Sequence, residues 1–288
     1  MRNETAMMEL ITGFAKQDDR VRAALMNGSR ANPNAPRDIF QDYDIVYIVR
    51  ETASFTANHS WIDIFGPRLM LQMPEEGRWP DNNGRFAYLI LFEDGGRLDL
   101  SLIPADRPDL WAQDSETIPL LDKDGILPAF PPSSDADYHV KKPSAHFFAA
   151  CCNNFWWCSQ NVAKGIWRNE LPYAAWMLEH ILREELCNVM DWAIGLRSGF
   201  AVSPGKCGKY YKNFLRAEEY TAFMASYAIG EAASLWQGLF AQCQLFRAFA
   251  KEVAAGLGYL YPQQDDANMM RYLTRVETLP QDATAIME

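Results

Sequence analysis

Gly28-Ser29-Arg30-Ala31-Asn32-Pro33-Asn34-Ala35-Pro36-Arg37-Asp38-Ile39-Phe40-Gln41-Asp42-Tyr43-Asp44, running straight into Ile45-Val46-Tyr47-Ile48-Val49, is the stretch that decides the fold. A short β-branched and aromatic run entered from a loop rich in Pro and Asn reads as a buried strand. Asp42 and Asp44 stand at its mouth. Side chains alternate along a strand, so the two carboxylates share a face with their Cα atoms roughly 6.5–7 Å apart. At that separation, and an effective dielectric of about 20, two negative charges repel by roughly 2.4 kcal/mol. A divalent cation removes this penalty. Mg²⁺ takes oxygen ligands, commonly one or two carboxylates plus substrate phosphates, so the pair suits a nucleotide-bound metal. Gly28-Ser29, a Gly followed by a small hydroxyl residue at a strand end, lets backbone N–H groups approach phosphate oxygens closely.

Working outward, Val21 to Met26 reads as the strand that delivers Gly28-Ser29, and Met7, Met8, Ile11 and Phe14 recur at helical spacing before it. The loop from Ala31 to Phe40 needs something to order it, and a bound nucleotide is a candidate. Trp61 to Phe65 predicts a short helix stopped by Gly66-Pro67, followed by a strand around Leu69 to Met73. Residues 75–85 are polar and rich in Gly and Asn, the composition of a mobile loop. Phe86 to Phe92 is a further apolar run, Asp94-Gly95-Gly96 is a hairpin turn, and Arg97 to Ile103 returns as a strand. On that return Leu98, Leu100 and Leu102 make one face, while Asp99 and Ser101 make the other. Asp99 is thus a third acid, on a strand expected to neighbour that of Asp42 and Asp44. Ile118 to Leu121 predicts one more strand, closed by Asp122-Lys123-Asp124-Gly125, where Asp124-Gly125 reads as a turn.

The composition narrows the classes of function. The chain has 288 residues, ample for a sizeable core, and 37 acidic against 27 basic side chains give a net charge of −10. Nucleic-acid backbones call for clustered Lys and Arg, so they are not the expected partner, whereas an acidic surface attracts a cationic small molecule. The six Cys form no C-x-x-C pair, which argues against a thiolate metal site and for reduced core cysteines. The four His are scattered without a Ser or Cys partner in a recognisable motif, against a His-dependent triad. No uncharged apolar run approaches the roughly 20 residues needed to span a bilayer, and the N-terminus is no signal peptide, so a cytoplasmic protein is expected.

Pro128, Pro131, Pro132 and Pro143, with Ser133-Ser134 between, mark a linker or domain boundary. Beyond it the pattern turns helical. Ala145 to Val162 is dense in aromatics, and Leu235, Leu239, Cys243, Phe246, Ala250, Val253 and Leu257 trace one face of a long helix. Phe155-Trp156-Trp157 reads as core rather than as a nucleotide-stacking platform. The expected architecture is α+β: a domain over 1–135 with a small mixed β-sheet flanked by helices, an all-helical domain over 136–288, and a cleft between them.

Gly28-Ser29, a gap of about a dozen residues, Asp42-x-Asp44 and the later Asp99 resemble the active-site signature of the polymerase β-type nucleotidyltransferases. More narrowly, Gly28-Ser29-Arg30, Gln41-Asp42-Tyr43-Asp44-Ile45, Ile64-Phe65-Gly66, Leu89 to Gly95, Leu98-Asp99-Leu100, Leu121 to Asp124, Arg168-Asn169-Glu170 and Gly208-Lys209-Tyr210-Tyr211-Lys212 resemble the aminoglycoside 6-adenylyltransferases. The resemblance implies transfer of AMP from ATP to the 6-hydroxyl of streptomycin, with release of pyrophosphate and loss of the antibiotic's action. Asp42 and Asp44 would hold Mg²⁺ on the triphosphate, and Asp99 would complete a second metal site or take the acceptor proton. Gly28 and Ser29 would bind the β and γ phosphates. Arg30 either contacts the triphosphate or covers the strand end, and the resemblance points to Lys209 as a phosphate contact from the helical domain. Glu170, at a helix start before Leu171-Pro172, would face the cationic sugar or act as general base, or is an ordinary acid favoured by the helix dipole. Two other readings remain open: the same chemistry on another aminoglycoside or a lincosamide, and a catalytically silent nucleotide-binding protein of this fold.

Overall fold

The computed structural model describes residues 2–77, 80, 83–111, 114–228 and 230–286. The chain divides into two compact units, Met1–Asp137 and Tyr138–Glu288.

The first unit is a six-stranded sheet covered on one face by a helix. Helix α1 (Glu4–Gln17) starts where the Asn3 side chain accepts a hydrogen bond from the Ala6 N–H, and it turns Met7, Ile11 and Ala15 inward. The strands are β1 (Val21–Asn27), β2 (Tyr43–Val49), β3 (Arg68–Gln72), β4 (Phe86–Phe92), β5 (Arg97–Pro104) and β6 (Ile118–Asp122). They lie in the order β3-β4-β5-β2-β1-β6. Among the described residues only the β2–β5 pairing is parallel and the other four are antiparallel, so the sheet is mixed. Between β2 and β3, Ala53–Thr56 is a single α-helical turn, α2, and His59–Phe65 is a 3₁₀ run where the sequence predicts a short helix. Over so few residues, the apolar spacing of the two helix types is the same.

Strand alternation sorts the sheet into two faces. Tyr43, Ile45, Tyr47 and Val49 of β2 and Leu98, Leu100 and Leu102 of β5 point into the core beneath α1. There the Tyr47 hydroxyl donates to the Ile11 carbonyl at 2.6 Å, satisfying the polar tip of a ring that is otherwise fully buried. The opposite face carries a smaller cluster of Ala23, Leu25 and Ile48, covered by Trp111, Ile126, Leu127 and Phe130. The start of the Pro-rich segment is therefore packed on the sheet. The Ser133 hydroxyl extends this, donating to the Ala31 carbonyl at 2.6 Å.

The 31–40 loop is partly ordered by the protein itself. The Ala31 and Asn32 N–H groups donate to the Gly28 carbonyl, Asn32 Nδ2 donates to Glu116, and Arg37 reaches the Arg30 carbonyl. Its far end differs, with Ile39 and Phe40 exposed at 68% and 86%. The mobile loop predicted for 75–85 falls partly outside the described residues.

The second unit is helical: α3 (Ala145–Trp167), α4 (Leu171–Trp176), α5 (Arg183–Ser198), α6 (Tyr211–Phe214), α7 (Ala217–Ala225), α8 (Ala232–Leu257) and α9 (Gln263–Glu277). A π-helical segment, Met177–Leu182, joins α4 to α5. Phe155 of α3 stacks on Phe246 of α8 at 3.8 Å between ring centres, and Trp156 is buried beside them, while Trp157 is 65% exposed. Five of the six cysteines lie on helices, all six are free thiols, and Cys207 sits in a short 3₁₀ turn. Among the described residues, no helix is long and apolar enough to cross a membrane.

Candidate active site

The register of the sheet assembles the acids. Asp44 lies opposite Asp99 across the parallel β2–β5 pairing, and opposite Asn27 across the antiparallel β1–β2 pairing. β1 therefore ends beside Asp44, and the chain turns there through the 3₁₀ segment Gly28–Arg30. The first N–H groups of such a turn have no partner within it. Gly28 has φ of +69°, and a Cβ on it would stand 3.0 Å from the Asp44 carboxylate carbon and nearer still to Oδ2. Both the backbone and the neighbouring carboxylate thus require glycine. Gln41 Nε2 donates to the Ser29 carbonyl at 3.2 Å and to its hydroxyl at 3.4 Å, tying the turn to the entrance of β2.

Asp42, Asp44 and Asp99 each offer an oxygen within 4.8 Å of the others, the one such group of three among the described residues. Each ionised pair at that distance repels by about 3.5 kcal/mol at an effective dielectric of about 20. Asp44 registers the strain. Its pKa is pushed up to about 7, first by burial and then by the charges of Asp42 and Asp99. Three hard oxygen donors at this spacing fit a divalent cation such as Mg²⁺.

Two arginines frame the acids. Arg30 does not point outward. Its Nε and Nη2 donate at 2.9 Å to the carbonyls of Asp42 and Gln41, and its guanidinium lies 3.8 Å over the Tyr43 ring. It covers and fixes the entrance of β2. Arg97, which sequence reasoning passed over, holds Asp99 through both oxygens at 2.8 and 2.5 Å and stands 3.8 Å from Asp42 Oδ2. The signal was there: Arg97 is two residues before Asp99, and strand period alone puts the two on one face. A cavity of about 410 Å³ adjoins, lined among others by Arg37, Ile39, Gln41, Tyr43, Phe92 and Arg97.

The remaining sequence-predicted residues belong to the second unit. Glu170 occupies the N-cap position of α4, exposed, with its side chain making no capping bond; its backbone N–H donates to the Gly165 carbonyl at 2.8 Å. Lys209 lies in the turn before α6, its ammonium 4.9 Å from the centre of the Tyr210 ring. Near it a cavity of about 750 Å³ is lined by Lys141, Lys142 and Lys206 together with Phe147, Trp192 and Asp191. The Asp191 carboxyl is raised to about 6 by burial, against the lowering effect of a 2.7 Å hydrogen bond from the Tyr211 hydroxyl.

Comparison with known proteins identifies the family of the chain. Residues 1–276 match the family model for streptomycin adenylyltransferase. The aminoglycoside 6-adenylyltransferase of Bacillus subtilis (strain 168) is 40% identical over 92% of this chain and 95% of its own length. That of Campylobacter jejuni is 39% identical over 92% and 93%. A crystal structure of an aminoglycoside 6-adenyltransferase from Bacillus subtilis covers 97% of this chain and 100% of its own, at 36% identity and a TM-score of 0.49. Identity this high over nearly the whole length, on a sheet that gathers three carboxylates at a Gly-Ser turn, makes the chain a nucleotidyltransferase and a member of the streptomycin adenylyltransferase family.

Proposed function

We propose that this protein transfers AMP from ATP to the 6-hydroxyl of streptomycin, with Mg²⁺ as the cofactor, and thereby inactivates the drug. The observation that carries the reading is the convergence of Asp42, Asp44 and Asp99 beside the Gly28-Ser29 turn. In the reaction the acceptor oxygen attacks the α-phosphorus. The bond from that phosphorus to the bridging oxygen breaks, and pyrophosphate leaves with the electron pair. The hydroxyl proton passes to one of two carboxylates, Asp99 or Glu170. A cation held by the aspartates would neutralise charge developing on the transferring phosphoryl group.

The chain's own groups do the rest. The Gly28 and Ser29 backbone N–H groups and the Ser29 hydroxyl bind the β and γ phosphates. Arg30 serves the nucleotide indirectly, by holding the Gln41 and Asp42 carbonyls so that Asp42 faces the metal. Lys209 supplies a phosphate contact from the second unit, and the lysines lining the cavity nearby, Lys206 among them, support an anion-facing role for that loop. Glu170, exposed and free of a helix-capping bond, accepts hydrogen bonds from the amino or guanidino groups of the drug or takes its proton. The net charge of −10 favours approach of such a polycation.

Pyrophosphate release from ATP and Mg²⁺, measured with streptomycin, kanamycin or lincomycin in turn and with Asp42→Asn as control, tests the assignment. Turnover with streptomycin alone supports it. Turnover confined to another drug moves the acceptor, and no turnover with any of them leaves a nucleotide-binding protein without this activity.

A further inference from the structure

We propose that Arg97 is a positioning residue that serves as the built-in counter-cation of the aspartate triad and competes with the divalent ion for Asp99. The inference rests on the cation reading of the triad and adds a residue to it. Both oxygens of Asp99 accept from Arg97, at 2.8 and 2.5 Å, and the same guanidinium lies 3.8 Å from Asp42 Oδ2. A cation ligated by all three acids takes an Asp99 oxygen that Arg97 already holds, and so weakens or displaces at least one of the two bonds. Without such a cation, Arg97 is the charge that lets three close carboxylates coexist.

The packing suits a group that lets go. The Arg97 side chain is 50% exposed, against 20% for Asp99 and 29% for Asp42, so the guanidinium can leave without opening a hole in the core. The pair is part-exposed and stands beside Asp42, so its charge acts on the triad rather than on the core. Its position is fixed by the strand: two residues before Asp99, on the same face, with a fork that matches a carboxylate.

The test is binding of Mn²⁺ alone to the full-length protein, without nucleotide, followed by the loss of the free-ion paramagnetic resonance signal. Arg97→Gln should bind Mn²⁺ about tenfold more tightly than the wild type or better, since two charge-assisted hydrogen bonds no longer oppose the ion. Arg97→Lys keeps the charge without the fork and should fall between them. In an Asp99→Asn background, replacing Arg97 by Gln should change affinity by no more than about twofold, because the two residues act as one unit. An unchanged or weaker affinity in Arg97→Gln overturns the proposal, and so does an equal rise in the Asp99→Asn background, which would mark a general charge effect. If neither the wild type nor Arg97→Gln binds Mn²⁺, the cation reading itself falls and takes this inference with it; if the wild type binds and Arg97→Gln binds no tighter, only the assignment of Arg97 is lost.

Discussion

Replacing Gly28 by alanine separates the architecture of the site from the stability of the fold. The new Cβ would sit 3.0 Å from Asp44 Cγ, where ordinary contact begins at 3.4 Å, and closer still to Oδ2. The turn cannot back away, because the Ala31 and Asn32 N–H groups are bonded to the Gly28 carbonyl and β1 is paired on both sides. The carboxylate therefore swings by about 1 Å to restore contact distance, and a misplacement of that size in a reacting array costs on the order of 100-fold in rate. Holding alanine at φ of +69° adds about 1–2 kcal/mol of backbone strain. Gly28→Ala should thus fold and unfold cooperatively, losing only about 1–2 kcal/mol in urea titrations, while its turnover drops about 100-fold in a pyrophosphate-release assay. Serine at the same position should behave like alanine, since the obstruction is the Cβ. A variant with wild-type turnover, or one whose loss of turnover merely follows loss of folded protein, would refute the claim that Asp44 is held against this turn for catalysis.

Asp44 also predicts a pH dependence. Its folded pKa of about 7 lies above the unfolded value near 3.9, so its ionisation costs stability as pH rises through the window from about 4 to about 7, and metal-free protein should weaken there. Asp44→Asn should remove the loss, making the variant more stable than the wild type at pH 8 in EDTA by up to about 4 kcal/mol, with little difference at pH 4; equal melting temperatures at pH 8 would contradict it. Lys209→Ala should weaken ATP binding in a calorimetric titration by about tenfold or more, the size of one lost charge-assisted hydrogen bond, and unaltered affinity would remove it from the phosphate site. Glu170→Gln should slow transfer while leaving ATP affinity within about twofold, and a wild-type rate would return Glu170 to the role of an ordinary helix-start acid.

How much of this was written in the sequence follows from the physical signals involved. Strand period and Gly/Pro punctuation placed β1, β2, β4 and β5 to within two residues, because each is a short apolar run between turn residues. The triad was legible for the same reason, since Asp42, Asp44 and Asp99 break apolar alternation at positions that share a face. Arg97 obeyed the same rule but was overlooked, an exposed arginine at a strand start being unremarkable until its partner is known. The π-helical segment Met177–Leu182 left no mark, because an extra residue in a helical turn requires no special side chain. Glu170 and Lys209 were reached through resemblance alone: an exposed acid or lysine near a helix start has no periodicity to set it apart.

The sheet can keep three repelling acids together because something larger fixes their register. A slip of one residue in β5 would turn Asp99 inward and bring Leu98, Leu100 and Leu102, all fully buried, out to the opposite face. Burying one leucine is worth about 1.5–3 kcal/mol, so three are worth about 5–9 kcal/mol, comparable with the whole stability of a typical domain. Moving Asp99 away would relieve its two carboxylate pairs, about 3.5 kcal/mol each and about 7 kcal/mol together before any counter-charge, and the two-point hold of Arg97 on Asp99 offsets part of that. Only with that offset do the leucines prevail. The core beneath α1 thus sets the geometry of the triad on the other face, and a core substitution that loosened β5, such as Leu100→Ala, would blur the site without touching it.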